Sequence, residues 1–305
     1  MQLKVPKDDV NLRFDKFLRK LLINAPLAFI FKGIRLKKFL VNNKRVKQNY
    51  RLQALDLITI NIPAEEYQKL TSKKVKRFEV NKLRFKILFE DSDLLIVDKP
   101  AFLASHSGTS EMHDNLMDEV RYYLKDKENR SSLANRLDKE TSGIVLIAKN
   151  KQTLRKLNLQ IKNREVKKYY LALVAGKLIE KSGVLSSNLK RFDKKFETKV
   201  QVSEDGKPAE TKYKVVKEFK ELSLLELELI TGRMHQIRVQ LASLGNPVVG
   251  DKLYGNEEIN KKFKLKRNFL HAYKVVFIHP VTNKQIRVEC ALPDELDKVV
   301  KGLNL

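Results

Sequence analysis

Along the first eighty residues the apolar positions follow a helical period. Phe14, Phe17, Leu18, Leu21 and Leu22 recur at i, i+3, i+4, i+7 and i+8, which gathers them on one helix face and leaves Arg13, Lys16, Arg19 and Lys20 on the other. A second helical pattern is read in Leu36, Phe39 and Leu40, flanked by Arg35, Lys37 and Lys38. The chain then turns at Asn42-Asn43 and ends in a predicted strand, Leu57 to Ile62, stopped by Pro63. From Ala64 to about Val80 it is polar, with the basic run Lys73-Lys74-Val75-Lys76-Arg77, and reads as a linker.

Beyond the linker the pattern changes to short apolar runs. Phe85–Phe89 and Leu94–Val97 surround the polar stretch Glu90–Asp93 and predict a hairpin. Ile144-Val145-Leu146-Ile147 reads as a buried strand, and Lys151–Asn163 as a helix with Leu154, Leu157 and Ile161 on one side. Alternation predicts a strand from Lys167 to Gly176. Two more strands follow Gly206–Thr211, the second from Leu222 to Ile230, and a helix then carries Ile237 and Leu241 inward. Clean β-α-β units are few, so the order argues α+β rather than a doubly wound sheet. No internal repeat or low-complexity tract is present. The predicted division of the 305 residues is a small domain over 1–63, a basic linker over 64–82 and a larger domain over 83–305.

Charge narrows the choice of partner. The chain holds 62 Lys+Arg against 37 Asp+Glu, a net +25, and residues 1–80 alone carry a net +12. Solubility is served by charge of either sign, whereas so large a cationic excess fits a polyanion whose counterions Lys and Arg displace. Cys290 is the only cysteine, which excludes an intramolecular disulfide and a cysteine-based zinc site and fits a reducing compartment. With no apolar leader and no run of 18 apolar residues, the expectation is a soluble, cytoplasmic, monomeric protein that makes no use of a membrane. Ser105-His106-Ser107 lacks a Gly-x-Ser-x-Gly elbow, which argues against a Ser-His-Asp hydrolase.

The stretch richest in candidate chemistry is Ala134-Asn135-Arg136-Leu137-Asp138-Lys139-Glu140-Thr141-Ser142-Gly143, a polar loop feeding the Ile144 strand. Asp138 has two readings on spacing alone: a turn or capping residue, as most loop aspartates are, or a nucleophile that the strand fixes and the loop exposes.

Arg136-Leu137-Asp138 followed by Thr141-Ser142-Gly143 resembles the catalytic loop of the RluA family of RNA pseudouridine synthases. Four further blocks resemble that family in the same order: Asp98-Lys99-Pro100-Ala101 after a hairpin, Lys168-x-Tyr170-x-Ala172, Thr231-Gly232-Arg233-Met234-His235-Gln236-Ile237-Arg238, and Gly250-Asp251 through Tyr254 to His271-Ala272. Together they span roughly residues 83–300, and Lys167–Val174 with the segment from Tyr254 to Ala272 are nearest the RluC branch. Arg13–Leu18, Val41–Val46 and Asp56-Leu57-Ile58 resemble the alpha-L, or S4-like, RNA-binding module, with Ala54-Leu55 where that module usually has glycine, so the turn there is expected to differ.

The resemblance implies a mixed, mostly antiparallel sheet with a cleft that receives RNA, and a reaction in which a flipped uridine is detached, turned and rejoined through carbon. Nothing enters or leaves, so no cofactor and no metal is implied. It implies Asp138 as nucleophile or base, Arg233 as the guanidinium that pairs with it, and Tyr170 against the uracil. Arg136 would fill the gap in the RNA stack, with Lys168, His235 and Arg238 as further RNA contacts. In the N-terminal module Arg13, Lys16, Arg35, Lys37, Lys38, Lys44 and Arg45 are the expected phosphate contacts. Two departures stand out: Asn135 where the family usually has His, and Met234 where it has Thr. The expected target is large-subunit ribosomal RNA. The alternatives are tRNA, or a non-catalytic ribosomal RNA-binding assembly factor on the same scaffold.

Overall fold

The computed structural model describes residues 1–6, 9–71, 83–106, 115–126, 128, 130–193 and 198–303. The basic run at 73–77 and the Ser107-Gly108 pair lie outside them. The chain divides into two compact units, 1–77 and 78–305.

Unit one holds strand β1 (Gln2–Lys4), helices α1 (Phe14–Leu21) and α2 (Leu27–Arg35), strands β2 (Phe39–Val41) and β3 (Leu57–Ile60), and helix α3 (Ala64–Thr71). Its three strands pair antiparallel in the order β1-β3-β2. The Phe14, Phe17, Leu18 and Leu22 face is buried as the period requires, against Ile30, Ile34, Phe39 and Ile58. The second helix departs from the expected place. Pro26 opens it at Leu27, and Lys37 at φ +60° ends it before Phe39, which pairs as a strand. Gly33 lets Phe39 close on the helix, since a Cβ there would stand 2.2 Å from its ring. Residues 64–71 are likewise not the start of a linker. They form α3, whose Tyr67 and Leu70 pack on this core and whose Leu70 carbonyl accepts from the Asn24 amide. The turn before β3 keeps a left-handed residue after all, with Leu55 at φ +74°. Buried Asp56 beside it accepts from Asn42 Nδ2, Tyr50 Oη and the Gln53 amide at 2.7, 3.1 and 2.8 Å.

Unit two contains β4 (Lys86–Glu90), β5 (Leu94–Lys99), α4 (Leu116–Tyr123), β6 (Ser132–Leu133), β7 (Ser142–Ala148), α5 (Lys151–Lys162), β8 (Lys167–Ala175), β9 (Ser182–Asp193), β10 (Thr198–Val202), β11 (Lys207–Glu218), β12 (Leu222–Leu229), α6 (Gln236–Ser243), α7 (Glu257–Phe263), β13 (Leu270–Ile278), β14 (Gln285–Glu289) and α8 (Asp294–Gly302). One sheet runs β10-β9-β11-β12-β8-β13-β7-β5-β4, with β14 on β13 and β6 on β7. It is the mixed α+β architecture expected, and every pairing but one is antiparallel.

The exception is β7 against β13, joined in parallel at Ser142–His271 and Gly143–Ala272. Gly143 is required there: it sits at φ +114°, and a Cβ would stand 2.2 Å from the Ala272 carbonyl oxygen. The joint brings the N-terminal end of β7, β13, β8 and β12 side by side at the middle of the sheet. On one face the core is built from residues such as Leu95, Val97, Val145, Leu173, Leu225 and Leu241. Among the described residues no helix is long and apolar enough to cross a membrane.

Candidate active site

Asp138 stands in the loop that enters β7. The Thr141 amide donates to its carbonyl at 3.1 Å, closing a turn, and the carboxylate is left half-exposed. The loop is pinned from below residue by residue. Ser105 Oγ donates to the Leu137 carbonyl at 2.6 Å and accepts the Leu137 amide at 3.1 Å. Lys99, with no exposed surface, aims its ammonium at the carbonyls of Pro100, Leu103 and Lys139 at 2.9, 2.8 and 3.4 Å. Those are three acceptors for the three N–H bonds of an ammonium. Burial and then the Arg267 charge push this group down to about 7, with Asp138 and Asp98 opposing them. Arg267, itself buried, donates to the Glu140 carbonyl and to Ser142 Oγ at 3.2 and 3.0 Å and is held by Glu295 at 2.8 Å.

The guanidinium beside Asp138 is not Arg233. Arg233 is exposed ahead of α6, with its Nε donating to the Pro208 carbonyl at 3.2 Å. Arg238, two residues into α6 and only 7% exposed, donates from Nη1 to Asp138 Oδ2 at 3.1 Å. Its Nε and Nη2 form a fork on Asp251 at 2.6 and 2.8 Å. The physical reason is the start of the helix. Positions before Gln236 belong to the surface loop, whereas Arg238 is carried inward with Ile237 and Leu241. Burial alone would pull this guanidinium down, but Asp251 first and Asp138 second more than offset it and hold it well up. Burial would likewise push the Asp251 carboxyl up, yet Arg238 and the Leu253 and Tyr254 amides keep it below the usual range. Arg238 is therefore a partner of Asp138, not an outward RNA contact.

Helix α6 is anchored by two buried glutamines. Gln236 accepts from Thr231 Oγ1 and the Arg233 amide and donates to the Glu210 carbonyl and Thr211 Oγ1; Gln240 accepts from Thr211 Oγ1 and donates to the Leu185 and Ala209 carbonyls. A polar network so completely satisfied fixes the helix against β11 and β9. Ahead of it, His235 takes a left-handed conformation, φ +52°, which costs a non-glycine residue roughly 1–2 kcal/mol.

One open pocket is lined by Asp138, Arg136, Tyr170, Leu229, Arg233, His235, Arg238 and Leu270. Tyr170 reaches it from β8, where it pairs with Leu227 on one side and Ala272 on the other. Its phenol is pushed well above the usual range by burial and then by the Asp138 charge, so it keeps its proton at neutral pH. Arg136 is exposed at the rim. Lys168 is half-buried on β8, outside the residues lining the pocket, and burial lowers its ammonium from the ordinary value.

The profile of the RNA pseudouridylate synthase family matches residues 93–243. A Vibrio vulnificus (strain CMCP6) protein named ribosomal large subunit pseudouridine synthase C is 34% identical over 303 residues, covering 98% of this chain and 95% of its own length. The chain belongs to the RNA pseudouridylate synthase family. An Escherichia coli O157:H7 protein of the same name is 34% identical over 309 residues, with 98% and 95% covered. Among solved structures, human RNA pseudouridylate synthase domain containing 1 superposes with a TM-score of 0.56 at 26% identity, over 72% of this chain and 94% of that one. Human RNA pseudouridylate synthase domain containing 4 shares the fold at a TM-score of 0.58 and 24% identity, over 72% and 92%.

Within this synthase fold the residue at 135 acts on the backbone. Asn135 Oδ1 accepts the Leu146 amide at 2.7 Å and its Nδ2 donates to the Ile144 carbonyl at 3.4 Å, so the side chain fastens the loop that carries Asp138 to β7. In unit one, Lys16, Arg35, Lys37, Lys44 and Arg45 are exposed and Lys38 half-exposed, whereas Arg13 turns its fork onto Asp15 at 3.0 and 2.8 Å. Sequence reasoning gave no role to Asp251, Ser105, Arg267 or Tyr254. The bonds that tie them to Arg238, Leu137, Glu140 and His235 span 13 to 127 positions of the chain, and no local spacing marks them.

Proposed function

We propose that this protein isomerises uridines of large-subunit ribosomal RNA, with Asp138 as the essential carboxylate. The observation that carries the reading is Asp138 at a pocket mouth, tied to buried Arg238, which is itself locked by Asp251. The relatives named ribosomal large subunit pseudouridine synthase C, matched over nearly their full length, favour that RNA over tRNA.

A stacked uridine cannot reach a pocket of this kind, so it must be flipped, at a cost of about a few kcal/mol. Arg136, exposed at the rim, is placed to stack where the base has left. Tyr170 offers the base a ring, and its proton stays on because burial and Asp138 both disfavour the phenolate. Asp138 is held in orientation by Arg238, an electrostatic arrangement that exists before the substrate arrives. The exposed cations of unit one, Lys16, Arg35, Lys37, Lys38, Lys44 and Arg45, add phosphate contacts that position the RNA without reading its sequence.

The test is release of tritium from C5-labelled uridine in transcribed large-subunit ribosomal RNA and, in parallel, in tRNA. Release from the former, abolished in Asp138→Asn, is the expected result. Turnover that survives this substitution would remove Asp138 from the chemistry, and release from tRNA alone would move the substrate.

A further inference from the structure

We propose that His235 is a further catalytic residue, a neutral imidazole whose Nε2–H donates to a carbonyl oxygen of the flipped uracil, with Tyr254 as the positioning residue that sets its tautomer. The proposal rests on the synthase reading above and deepens it. Its starting point is a chain of hydrogen bonds that runs from Val200 through Tyr254 to His235. The Val200 amide donates to Tyr254 Oη at 2.9 Å. The phenol then has one proton to give, and it faces His235 Nδ1 at 3.0 Å. In the proposed direction the phenol donates and Nδ1 accepts, which puts the imidazole hydrogen on Nε2.

That nitrogen points into the pocket. It stands 3.8 Å from Asp138 Oδ2, beyond hydrogen-bonding reach, while the same oxygen accepts from Arg238 at 3.1 Å. The N–H is therefore left for whatever enters beside Asp138 and Tyr170. Tyr254 is held for its part from three directions: by Val200, by an edge-to-face contact with His235 at 5.6 Å, and by the Arg238 guanidinium 5.2 Å over its ring. The left-handed backbone at His235 is what turns the ring toward the pocket, and strain of this sort gathers at functional sites. Four groups face the imidazole: Asp138, Asp251, Arg238 and Tyr254. Burial foremost, with Arg238, lowers its affinity for a second proton, against the pull of the two carboxylates.

The chemistry calls for such a donor. As N1–C1′ breaks, its electron pair passes to the base and spreads onto the ring carbonyls. C5–C1′ then forms, the C5 proton leaves and N1 takes one up, so the composition is unchanged. His235 neither gains nor loses a proton; it stabilises the charge while it lasts.

The test is single-turnover tritium release from C5-labelled, transcribed large-subunit ribosomal RNA, with RNA affinity by filter binding and thermal melting on each variant. His235→Ala is expected to slow release by about 100-fold while RNA affinity stays within about threefold. His235→Gln, which returns an N–H near the Nε2 position, is expected to recover at least about tenfold of that loss. In Tyr254→Phe nothing holds the hydrogen on Nε2 and the neutral imidazole carries it in part on Nδ1, so release is expected to slow at every pH at which the imidazole is neutral, while the same change made in His235→Ala slows it no further. Three results would overturn the proposal: His235→Ala with the native rate, His235→Gln no faster than His235→Ala, or a loss confined to RNA affinity, which would make His235 a binding contact. Tyr254→Phe at the native rate, or a loss that simply adds to that of His235→Ala, would remove Tyr254 as the tautomer-setting group. No release by the native enzyme overturns the synthase reading and this assignment together, whereas an active native enzyme with an unaffected His235→Ala overturns this assignment alone.

Discussion

Arg238 spends two of its donors on Asp251 and one on Asp138, and that division decides how Asp138 is held. An ammonium in its place offers a point charge without the planar fork, so it cannot keep both carboxylates in register. Arg238→Lys is therefore expected to lower the rate of tritium release by about 100-fold or more, while Arg233→Ala, at an exposed position, costs less than about tenfold. The reverse ranking would return the ion pair to Arg233. Both arginines stand in the same eight-residue motif, which was legible, but the choice between them was not. It depends on where α6 begins, and the run Met234-His235-Gln236-Ile237 carries no cap that marks the start. Asp138, Arg136 and Tyr170, which line one pocket, were named through the family motifs; spacing alone left Asp138 a turn residue or a nucleophile. Asp251, in a loop 13 residues beyond its partner, was given no role.

Among the elements, the joint between β7 and β13 governs the site. His271 fills it, wholly buried, with Nδ1 against Ser142 Oγ at 2.9 Å and Nε2 against Cys290 Sγ at 3.3 Å. Burial first, and the Arg267 charge with it, push the imidazole down to about 4 from an ordinary 6.5. The folded state thus binds fewer protons than the unfolded chain between these values. The contribution is complete above 6.5 and is lost as pH falls through about 4, on the order of 3 kcal/mol in all. Urea unfolding at pH 7 and at pH 4.5 should show this limb in the native protein and a flatter one in His271→Gln; equal slopes would mean that the histidine titrates normally. The hairpin β4–β5, the helix α5 and the strands β7, β8 and β12 were all legible, since period and turn residues agree there. The second helix of unit one was misplaced because Leu36, Phe39 and Leu40 mimic a helical spacing across a left-handed Lys37. The β9–β10 hairpin was missed, as Ser182–Asp193 mixes serine, asparagine and lysine with few apolar positions.

For the whole molecule, charge is the property with the longest reach. Replacing Lys16, Arg35, Lys37 and Lys44 of unit one by Gln should lower the slope of log affinity against log salt by about 3, since each phosphate contact contributes roughly 0.7–0.9. An unaltered slope would take these side chains out of contact with RNA. The division into two units was legible from composition, though the polar stretch after Pro63 hid a helix whose apolar content is only Tyr67 and Leu70.

The parallel seam also governs the order in which the Asp138 pocket is completed. Asp138 and Arg238 are made early, but Arg267 and the strand that clamps Ser142 and Gly143 arrive only with the last 39 residues, 267–305. Until they do, β7 and β8 present bare, apolar edges toward each other, a template for pairing with other chains rather than a cleft for a nucleoside. A chain cut off before Arg267 would therefore lack more than a tail: the Asp138 loop would keep Ser105 and Lys99 beneath it but lose the strand that holds Ser142 and Gly143.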